Sequence, residues 1–357
     1  MGERSDVLKA VVVGCGVGKH HARSMAGLDD FDLVALCDLD EARAREAAEK
    51  LDGVAVYADF ERALDAERPD VVAVATPNDS HARLTIMAAE AGVRGICCEK
   101  PMATCMGDAR AMVAACREHN IPLIVHHQRR MGTDLVAMRR LMEEGAIGEP
   151  YLIRTANGGD ILSDGTHAVD SIRHLAGDED VKWVFGQVYR DLPEGSEAQG
   201  GGYHASGGFR FGHPIETGGF GVIEFATGLR AEMLTGKLAF PGRAYQDYEV
   251  FGTEGALWRR GDRGDPAVLL RDGQADGWRP APLGDGGERR HSGSRVYRLF
   301  AEMIRDGAEH PLNGDSALKD HEVVMAVYES ARLHRRLDMP LEQDRFPLGL
   351  MIEAGQL

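Results

Sequence analysis

The first third of the chain alternates short apolar runs with longer stretches in which apolar residues recur every three or four positions. The runs are rich in β-branched residues, as buried parallel strands are, and the intervening stretches have the period of amphipathic helices. Strands are predicted at 8–13, 33–37, 54–57, 71–75, 95–98 and 122–126, with helices that include 41–51 and 81–91. This alternation predicts an α/β fold with a doubly wound parallel sheet.

The pattern changes after residue 126. A helix at 135–144, a strand from Pro150 and a helix at 169–175 precede four consecutive strand-like segments at 219–225, 229–234, 246–252 and 255–259. Consecutive strands separated by turn residues are typical of antiparallel sheets. We therefore expect domains at 1–126 and 127–357, the second an α+β domain with a large, mostly antiparallel open sheet. A helix at about 316–336 is expected to pack back toward the first domain.

Composition and charge exclude several classes of partner. The 357 residues suit about two domains, and 41 Lys and Arg against 57 Asp and Glu give a net charge of −16. That charge repels nucleic acids and anionic membranes. The apolar runs are far shorter than a membrane span, and the N-terminus does not resemble a signal peptide, so we expect a cytoplasmic protein. The six cysteines, which form no C-x-x-C pair, are expected to be buried free thiols; a redox or zinc site is the alternative.

A glycine turn follows the first predicted strand, with Gly14, Gly16 and Gly18 around Val17. Such glycines let backbone N–H groups approach a pyrophosphate at a helix N-terminus, although this G-x-G-x-G spacing is one residue shorter than the standard Rossmann pattern. Asp38 ends the second strand, at the offset where a carboxylate meets the adenosine ribose, which favours NAD over NADP. The alternative is that Asp38 only caps the helix that begins near residue 40.

A second cluster follows the fourth and fifth strands. Thr76, Asn78 and His81 come after the fourth, and Glu99-Lys100-Pro101 after the fifth. With the glycine turn, these residues resemble the Gfo/Idh/MocA (glucose-fructose oxidoreductase and inositol dehydrogenase) family, over nearly the whole chain. The resemblance implies an NAD-binding Rossmann domain lined by Thr76, Asn78, His81, Glu99 and Lys100. It also implies a cis peptide bond before Pro101 and a lysine, Lys100, that contacts the reacting hydroxyl beside the nicotinamide. For an isolated lysine, a solvated loop position would be the safer interpretation, but the position of Lys100 after a buried strand at the ligand edge favours the functional one.

The segment His167-x-x-Asp170-x-x-x-His174 places three polar side chains on one face of a helix. The resemblance implies that Asp170 and His174 are the catalytic pair and that His167 lines the same cleft. We expect His174 to act as the base, because an imidazole titrates near working pH. Asp170 would orient it, and Lys100 would stabilise the developing alkoxide. A metal site or an inert helix surface are the alternatives, and we predict no metal.

A long glycine-rich segment, 191–218, carries Tyr203, His204 and Arg210, which we expect to enter the cleft and select the substrate. The predicted function is NAD-dependent oxidation or reduction of a secondary hydroxyl on a sugar, cyclitol or related polyol. Two alternatives remain. One is a glycosidase that uses NAD as a transient oxidant, and the other is a sensor without enzymatic activity. The resemblance also implies a homodimer or homotetramer.

Overall fold

The computed structural model describes residues 7–192, 208–239, 245–262, 265–273, 277–284 and 293–357. The chain forms two compact units, one comprising 1–128 and 292–318, the other 129–291 and 319–357. The division lies close to the predicted boundary after residue 126. Residues 292–318, however, group with the first unit, although the linear sequence assigns them to the second domain.

The first unit contains the predicted parallel sheet. Its strands are β1 (Leu8–Val13), β2 (Phe31–Cys37), β3 (Ala55–Tyr57), β4 (Val71–Val74), β5 (Gly95–Cys98) and β6 (Leu123–Val125). The helices between them are α1 (Gly18–Ala26), α2 (Glu41–Ala48), α3 (Phe60–Glu67), α4 (His81–Glu90) and α5 (Met106–Glu118). The strand order is β3-β2-β1-β4-β5-β6, and the pairs are parallel, which confirms a doubly wound sheet.

The centre of this sheet is apolar on both faces. Every residue of β4 and β5 is buried, as expected for strands covered by helices on each side. Strand order reverses between β1 and β4, so the crevice at their carboxyl ends is where such folds bind ligands. All six cysteines are free, and all except the half-buried Cys105 are buried, as predicted.

The second unit begins with α6 (Thr133–Glu143), β7 (Pro150–Asn157), α7 (Thr166–Leu175) and β8 (Val181–Tyr189). A π-helical turn, Ile161–Gly165, leads directly into α7. The next strands are β9 (Phe209–Arg210), β10 (His213–Pro214), β11 (Gly218–Phe225), β12 (Arg230–Gly236), β13 (Asp247–Gly252), β14 (Gly255–Arg260), β15 (Val268–Asp272) and β16 (Arg279–Pro280). The remaining elements of the chain are α8 (Gly293–Asp306), α9 (Gly314–Leu333), β17 (Leu337–Asp338) and α10 (Pro347–Glu353).

The strands of the second unit form a large mixed sheet in the order β16-β15-β14-β13-β7-β12-β11-β8-β17, while β9 and β10 pair separately. The pairs within it are antiparallel except that between β7 and β12, which confirms the predicted sheet type. One face packs against α9. At Gly186 a Cβ atom would lie 2.3 Å from the carbonyl oxygen of Val327, so a side chain there would push the helix away.

Helices α8 and α9 follow the strands of the second sheet along the chain. Helix α8 packs in the first unit, where its Arg305 donates a hydrogen bond to Asp30 at 2.6 Å. Helix α9 starts in the first unit, where Ala317 lies in the apolar core, and continues in the second. In the part of the chain that the structure describes, no helix has the length and apolar character needed to cross a bilayer.

Candidate active site

The glycine turn after β1 has the backbone geometry of a pyrophosphate cradle. Gly14 has a φ of +91°, and a Cβ there would lie 2.4 Å from the carbonyl oxygen of Ala75. A Cβ on Gly16 would instead meet open space. No side chain caps the N-terminus of α1 at Val17, so its first N–H groups remain available to a bound anion. The short glycine spacing therefore still leaves room for backbone donors to reach a phosphate.

Asp38, at the end of β2, is buried and organises the neighbouring backbone. Its carboxylate accepts hydrogen bonds from the N–H of Cys15 at 2.8 Å and of Asp40 at 2.9 Å. The guanidinium of Arg43 lies 3.3 Å away. Helix α2 is capped by Asp40, whose side chain accepts from the N–H groups of Ala42 and Arg43. The capping alternative for Asp38 is thus wrong, because its neighbour performs that task.

The loops after β4 and β5 are tied together by His81. Its ring is fully buried, with Nδ1 2.8 Å from the carbonyl oxygen of Pro101 and Nε2 2.8 Å from that of Thr76. Asn78 is buried in the same loop. Both ring nitrogens of His81 thus contact backbone carbonyl oxygens of these two loops, and its role in cofactor binding stays a prediction.

Lys100 follows β5 and is half-buried. Its peptide bond to Pro101 is cis, as the family resemblance implies. Glu99, expected to line the cofactor site, directs its carboxylate inward, where Oε1 accepts a hydrogen bond from Nε2 of His21 at 2.7 Å. In this loop the Glu99 side chain is therefore buried, whereas Lys100 is only half-buried.

In the second unit, α7 carries the three polar residues predicted to share a face. Asp170 is almost fully buried, and its Oδ1 accepts from Nε of Arg130 at 2.7 Å. Arg130 also donates to the Asp170 carbonyl oxygen at 3.1 Å and to Asp178 at 3.0 Å. Burial acts to lower the pKa of Arg130, but Asp170, Asp320 and Asp178 raise it. The Asp170 carboxyl is thus held in a buried contact with Arg130, although burial acts to raise its pKa and the charge of Arg130 opposes that rise.

His174 lies near the end of α7, close to Arg130. Burial, and next the charge of Arg130, lower the pKa of its imidazole to about 4. Its Nε2 is buried without a hydrogen-bond partner among the residues that the structure describes. An imidazole with this pKa is deprotonated at neutral pH. His167, in the first turn of α7, is also buried.

Arg210 joins a polar cluster beside α7. It donates to Asp160 at 3.1 Å and to Asp164, while the hydroxyl of Tyr245 donates to Asp164 at 2.8 Å. Arg210 and Asp164 are half-buried. Tyr203 and His204, predicted to join Arg210, lie outside the described residues.

Comparisons with known proteins agree with this geometry. A family model described as "Oxidoreductase family, NAD-binding Rossmann fold" matches residues 8–127, and one described as "GFO/IDH/MocA C-terminal domain" matches residues 135–258. D-apiose dehydrogenase of Paraburkholderia graminis is 30% identical over 97% of this chain and 94% of its own. The chain belongs to the Gfo/Idh/MocA oxidoreductase family.

Two further similar proteins show lower identity. Myo-inositol 2-dehydrogenase of Thermotoga maritima is 27% identical over 83% of each chain. Among solved structures, the WlbA dehydrogenase of Bordetella pertussis, in complex with NADH and UDP-GlcNAcA, has a TM-score of 0.73 at 22% identity, covering 94% of this chain and 100% of its own. At that identity the likeness shows the fold alone.

The Gfo/Idh/MocA chain thus has an NAD-binding Rossmann domain, and its residues fit that cofactor. The fit rests on the open space at Gly16, the uncapped start of α1 and the carboxylate of Asp38 at the same edge of the sheet.

Two polar residues of the second unit were missed from the sequence. Asp164 and Tyr245 come from the π-helical turn and from a segment just before β13, and they meet only in the folded chain. The available signal was an aspartate three residues before His167, too weak to distinguish from an ordinary turn residue.

Proposed function

We propose that this protein is an NAD-dependent dehydrogenase that acts on a secondary hydroxyl of a sugar, cyclitol or related polyol. The observation that carries the proposal is the half-buried Lys100, which lies two residues after β5 at the carboxyl edge of the NAD-binding sheet. Relatives named as dehydrogenases of D-apiose and myo-inositol support the substrate class.

Lys100 has the chemistry that the reacting oxygen needs. Bound NAD would supply the hydride acceptor, and oxidation of a secondary alcohol develops negative charge on its oxygen. An ammonium that donates a hydrogen bond to that oxygen stabilises the transition state more than the bound alcohol. In this proposal Lys100 acts on the reacting oxygen.

The hydroxyl proton passes to a histidine of α7, and the lowered pKa of His174 favours His167 for this role. An effective base has a pKa near working pH. The imidazole of His174, with its pKa lowered to about 4 by burial and Arg130, is too weak for this task. His167 lies three residues before Asp170 and shares its helix face. Asp170 then acts by fixing α7 through Arg130.

The polar cluster of Asp164, Arg210 and Tyr245 is our proposed site for the remaining hydroxyls of the substrate. A carboxylate beside a guanidinium offers both acceptors and donors, the combination that polyols require. The interactions of Tyr203 and His204 with substrate remain predictions.

The experiment that tests the function is incubation of the purified protein with NAD and a panel of sugars, cyclitols and glycosides. We expect NADH to accumulate, with an oxidised product, for at least one free polyol or sugar. Release of free sugar from a glycoside without net NADH would instead establish the redox glycosidase. NAD binding without turnover on any compound of the panel would contradict the proposal and favour a sensor.

We also propose a homodimer or homotetramer that pairs through the sheet of the second unit. Trp183, Phe185, Phe220 and Leu234 are half-buried on the face opposite α9. Apolar side chains gathered on one open face are typical of subunit interfaces. Sedimentation should give a mass above one chain, and a monomer at micromolar concentration would contradict this.

A further inference from the structure

The carboxylate of Glu99 lies in a buried network directly behind Lys100. Its Oε1 accepts a hydrogen bond from Nε2 of His21 at 2.7 Å, and its Oε2 accepts from the backbone N–H of Lys100 at 3.0 Å. Nδ1 of His126 lies 3.3 Å from Oε1. Both histidines and the glutamate are buried. Glu99 therefore ties helix α1 to the backbone from which Lys100 extends.

The network continues from His21 into α8. The second ring nitrogen of His21, Nδ1, lies 2.5 Å from the hydroxyl of Tyr297, and that hydroxyl lies 3.5 Å from Sγ of Cys97. Tyr297 is fully buried, and its ring packs edge-to-face with that of Phe31, with the two ring centroids 5.7 Å apart. All of these residues belong to the first unit. One hydrogen-bonded chain thus runs from Tyr297 through His21 and Glu99 to Lys100.

The electrostatics favour an ion pair at the centre of the chain. Burial acts to raise the pKa of Glu99, but the neighbouring imidazoles of His126 and His21 hold it well below its ordinary value. Burial acts to lower the pKa of His21, but its contacts with Cys97 and Glu99 raise it to about 10. A buried carboxylate needs such a partner, because an unpaired charge in this environment is strongly destabilising. Removal of His21 would leave Glu99 without its main compensation.

We propose that His21 and Tyr297 are positioning residues for Lys100, acting through the Glu99 carboxylate that holds the Lys100 backbone. The inference rests on the proposed role of Lys100 in catalysis. Neither residue needs to touch substrate or cofactor. A displacement of about 1 Å in a catalytic group can lower turnover by up to about a hundredfold.

The same three side chains, His21, Glu99 and His126, also have a spacing that could hold a metal ion. The 2.7 Å between Nε2 of His21 and Oε1 of Glu99 is, however, a hydrogen-bond distance. Two ligands bound tetrahedrally to zinc at about 2.0–2.1 Å lie roughly 3.3 Å apart. The geometry therefore favours the hydrogen-bonded chain.

The test is a double-mutant cycle between His21 and Lys100, measured as turnover and as NAD affinity of the purified, full-length protein. His21→Leu should lower kcat by about tenfold to a hundredfold and change the Kd for NAD by less than about twofold. In the Lys100→Ala background the same substitution should change the residual turnover by less than about twofold. His21→Gln, whose amide can still donate to Glu99, should recover part of the lost kcat.

Tyr297→Phe keeps the ring and removes only the hydroxyl, so it tests the chain if His21→Leu does not fold. We expect it to lower kcat by about threefold to tenfold, again only when Lys100 is present. His310→Asn is the matched control, because this buried histidine of the same unit bonds to the carbonyl of Val296. If His310→Asn lowers kcat, the fold-change should be the same in the wild-type protein and in the Lys100→Ala background.

The outcomes separate the inference from the proposed function. Equal losses of kcat from His21→Leu with and without Lys100 would show a structural role only and would overturn the inference. So would one equivalent of bound metal that is lost with His21. Normal turnover of Lys100→Ala alone would instead remove Lys100 from catalysis and overturn the proposed function.

Discussion

Arg130 and Asp170 form an ion pair in which Nε and Oδ1 are 2.7 Å apart and both side chains are almost fully buried. Breaking a buried pair by removing one partner costs about 3–5 kcal/mol, since the other charge stays buried. Asp170→Ala should therefore lower the free energy of unfolding of the second unit by about that amount. All three tryptophans, Trp183, Trp258 and Trp278, belong to this unit, so tryptophan fluorescence in urea measures it.

Asp178→Ala is the control, because Asp178 also contacts Arg130 but its side chain is 44% exposed. Its loss should cost about 1 kcal/mol or less. If Asp170→Ala kept wild-type stability and lost only kcat, Asp170 would have the direct catalytic role that the sequence predicts.

Lys100→Ala should lower kcat by about a hundredfold or more and leave the Kd for NAD nearly unchanged, because the ammonium acts on the transition state. Steady-state NADH formation and NAD titration measure the two quantities. Lys50→Ala, at an exposed position of the same unit, is the control and should turn over normally. A parallel loss of NAD affinity would make Lys100 a cofactor ligand.

The sequence predicts the first unit well because its signals are local. Strands at 8–13 and 95–98 agree with the structure at both ends, and the others agree within two residues. Apolar runs flanked by amphipathic helices leave few arrangements other than a parallel sheet. The grouping of α8 with this unit could not be predicted, because it depends on contacts such as Tyr297 with His21, far apart in sequence.

The same distinction between local signals and long-range contacts applies to the candidate site. Gly14, Asp38 and Lys100 could be proposed from the sequence because each follows a strand at a recognisable spacing. The environment of His174 could not be read from its helix, since Arg130 comes from another segment and determines, with burial, the pKa of the imidazole. The parallel pairing of β7 with β12 could likewise not be predicted, because the sequence pattern shows only which strands follow one another along the chain.

His167→Ala and His174→Ala should differ in the pH dependence of kcat/KM. A base must be deprotonated, so activity falls as pH drops through its pKa. His174, with a pKa of about 4, gives no such fall between pH 5 and 8. We therefore expect His174→Ala to keep the wild-type acidic limb and His167→Ala to abolish it. Loss of that limb only in His174→Ala would return His174 to the role of base.

Asp38→Ser should raise the Kd for NAD and lower the preference for NAD over NADP by at least about tenfold. The substitution removes the negative charge that repels the 2′-phosphate of NADP. It leaves the guanidinium of Arg43, which lies 3.3 Å from the Asp38 carboxylate, beside the expected position of that phosphate. The measurement is the ratio of kcat/KM for the two cofactors. Adding Arg43→Ala should remove the gain with NADP. Asp40→Ala, which loses the α2 cap, should lower stability without changing the ratio; an equal change would contradict the assignment of Asp38.

Glu216 gives the second unit a stability that depends on pH. Burial, and next the charge of Asp160, raise the pKa of this carboxyl from 4.5 to about 7. The carboxyl accepts hydrogen bonds from the N–H of Ile161 at 2.6 Å and from the hydroxyl of Tyr328 at 2.7 Å. A carboxyl with a raised folded-state pKa binds its proton more tightly when folded. Its contribution is therefore fully present below pH 4.5 and is lost as pH rises toward 7. At about 1.4 kcal/mol per pKa unit, the loss is on the order of 3 kcal/mol.

Glu216→Gln should remove this dependence, because the amide is neutral at every pH and can still accept from Ile161. We expect the free energy of unfolding, followed by tryptophan fluorescence between pH 5 and 8, to fall less steeply with pH in the variant. Glu232→Gln is the control, since this half-buried residue of β12 pairs with Arg154 on the sheet and should leave the slope unchanged. A wild-type slope in Glu216→Gln would show that Glu216 is ionised throughout this range and that the π-helical turn is held by a charged carboxylate.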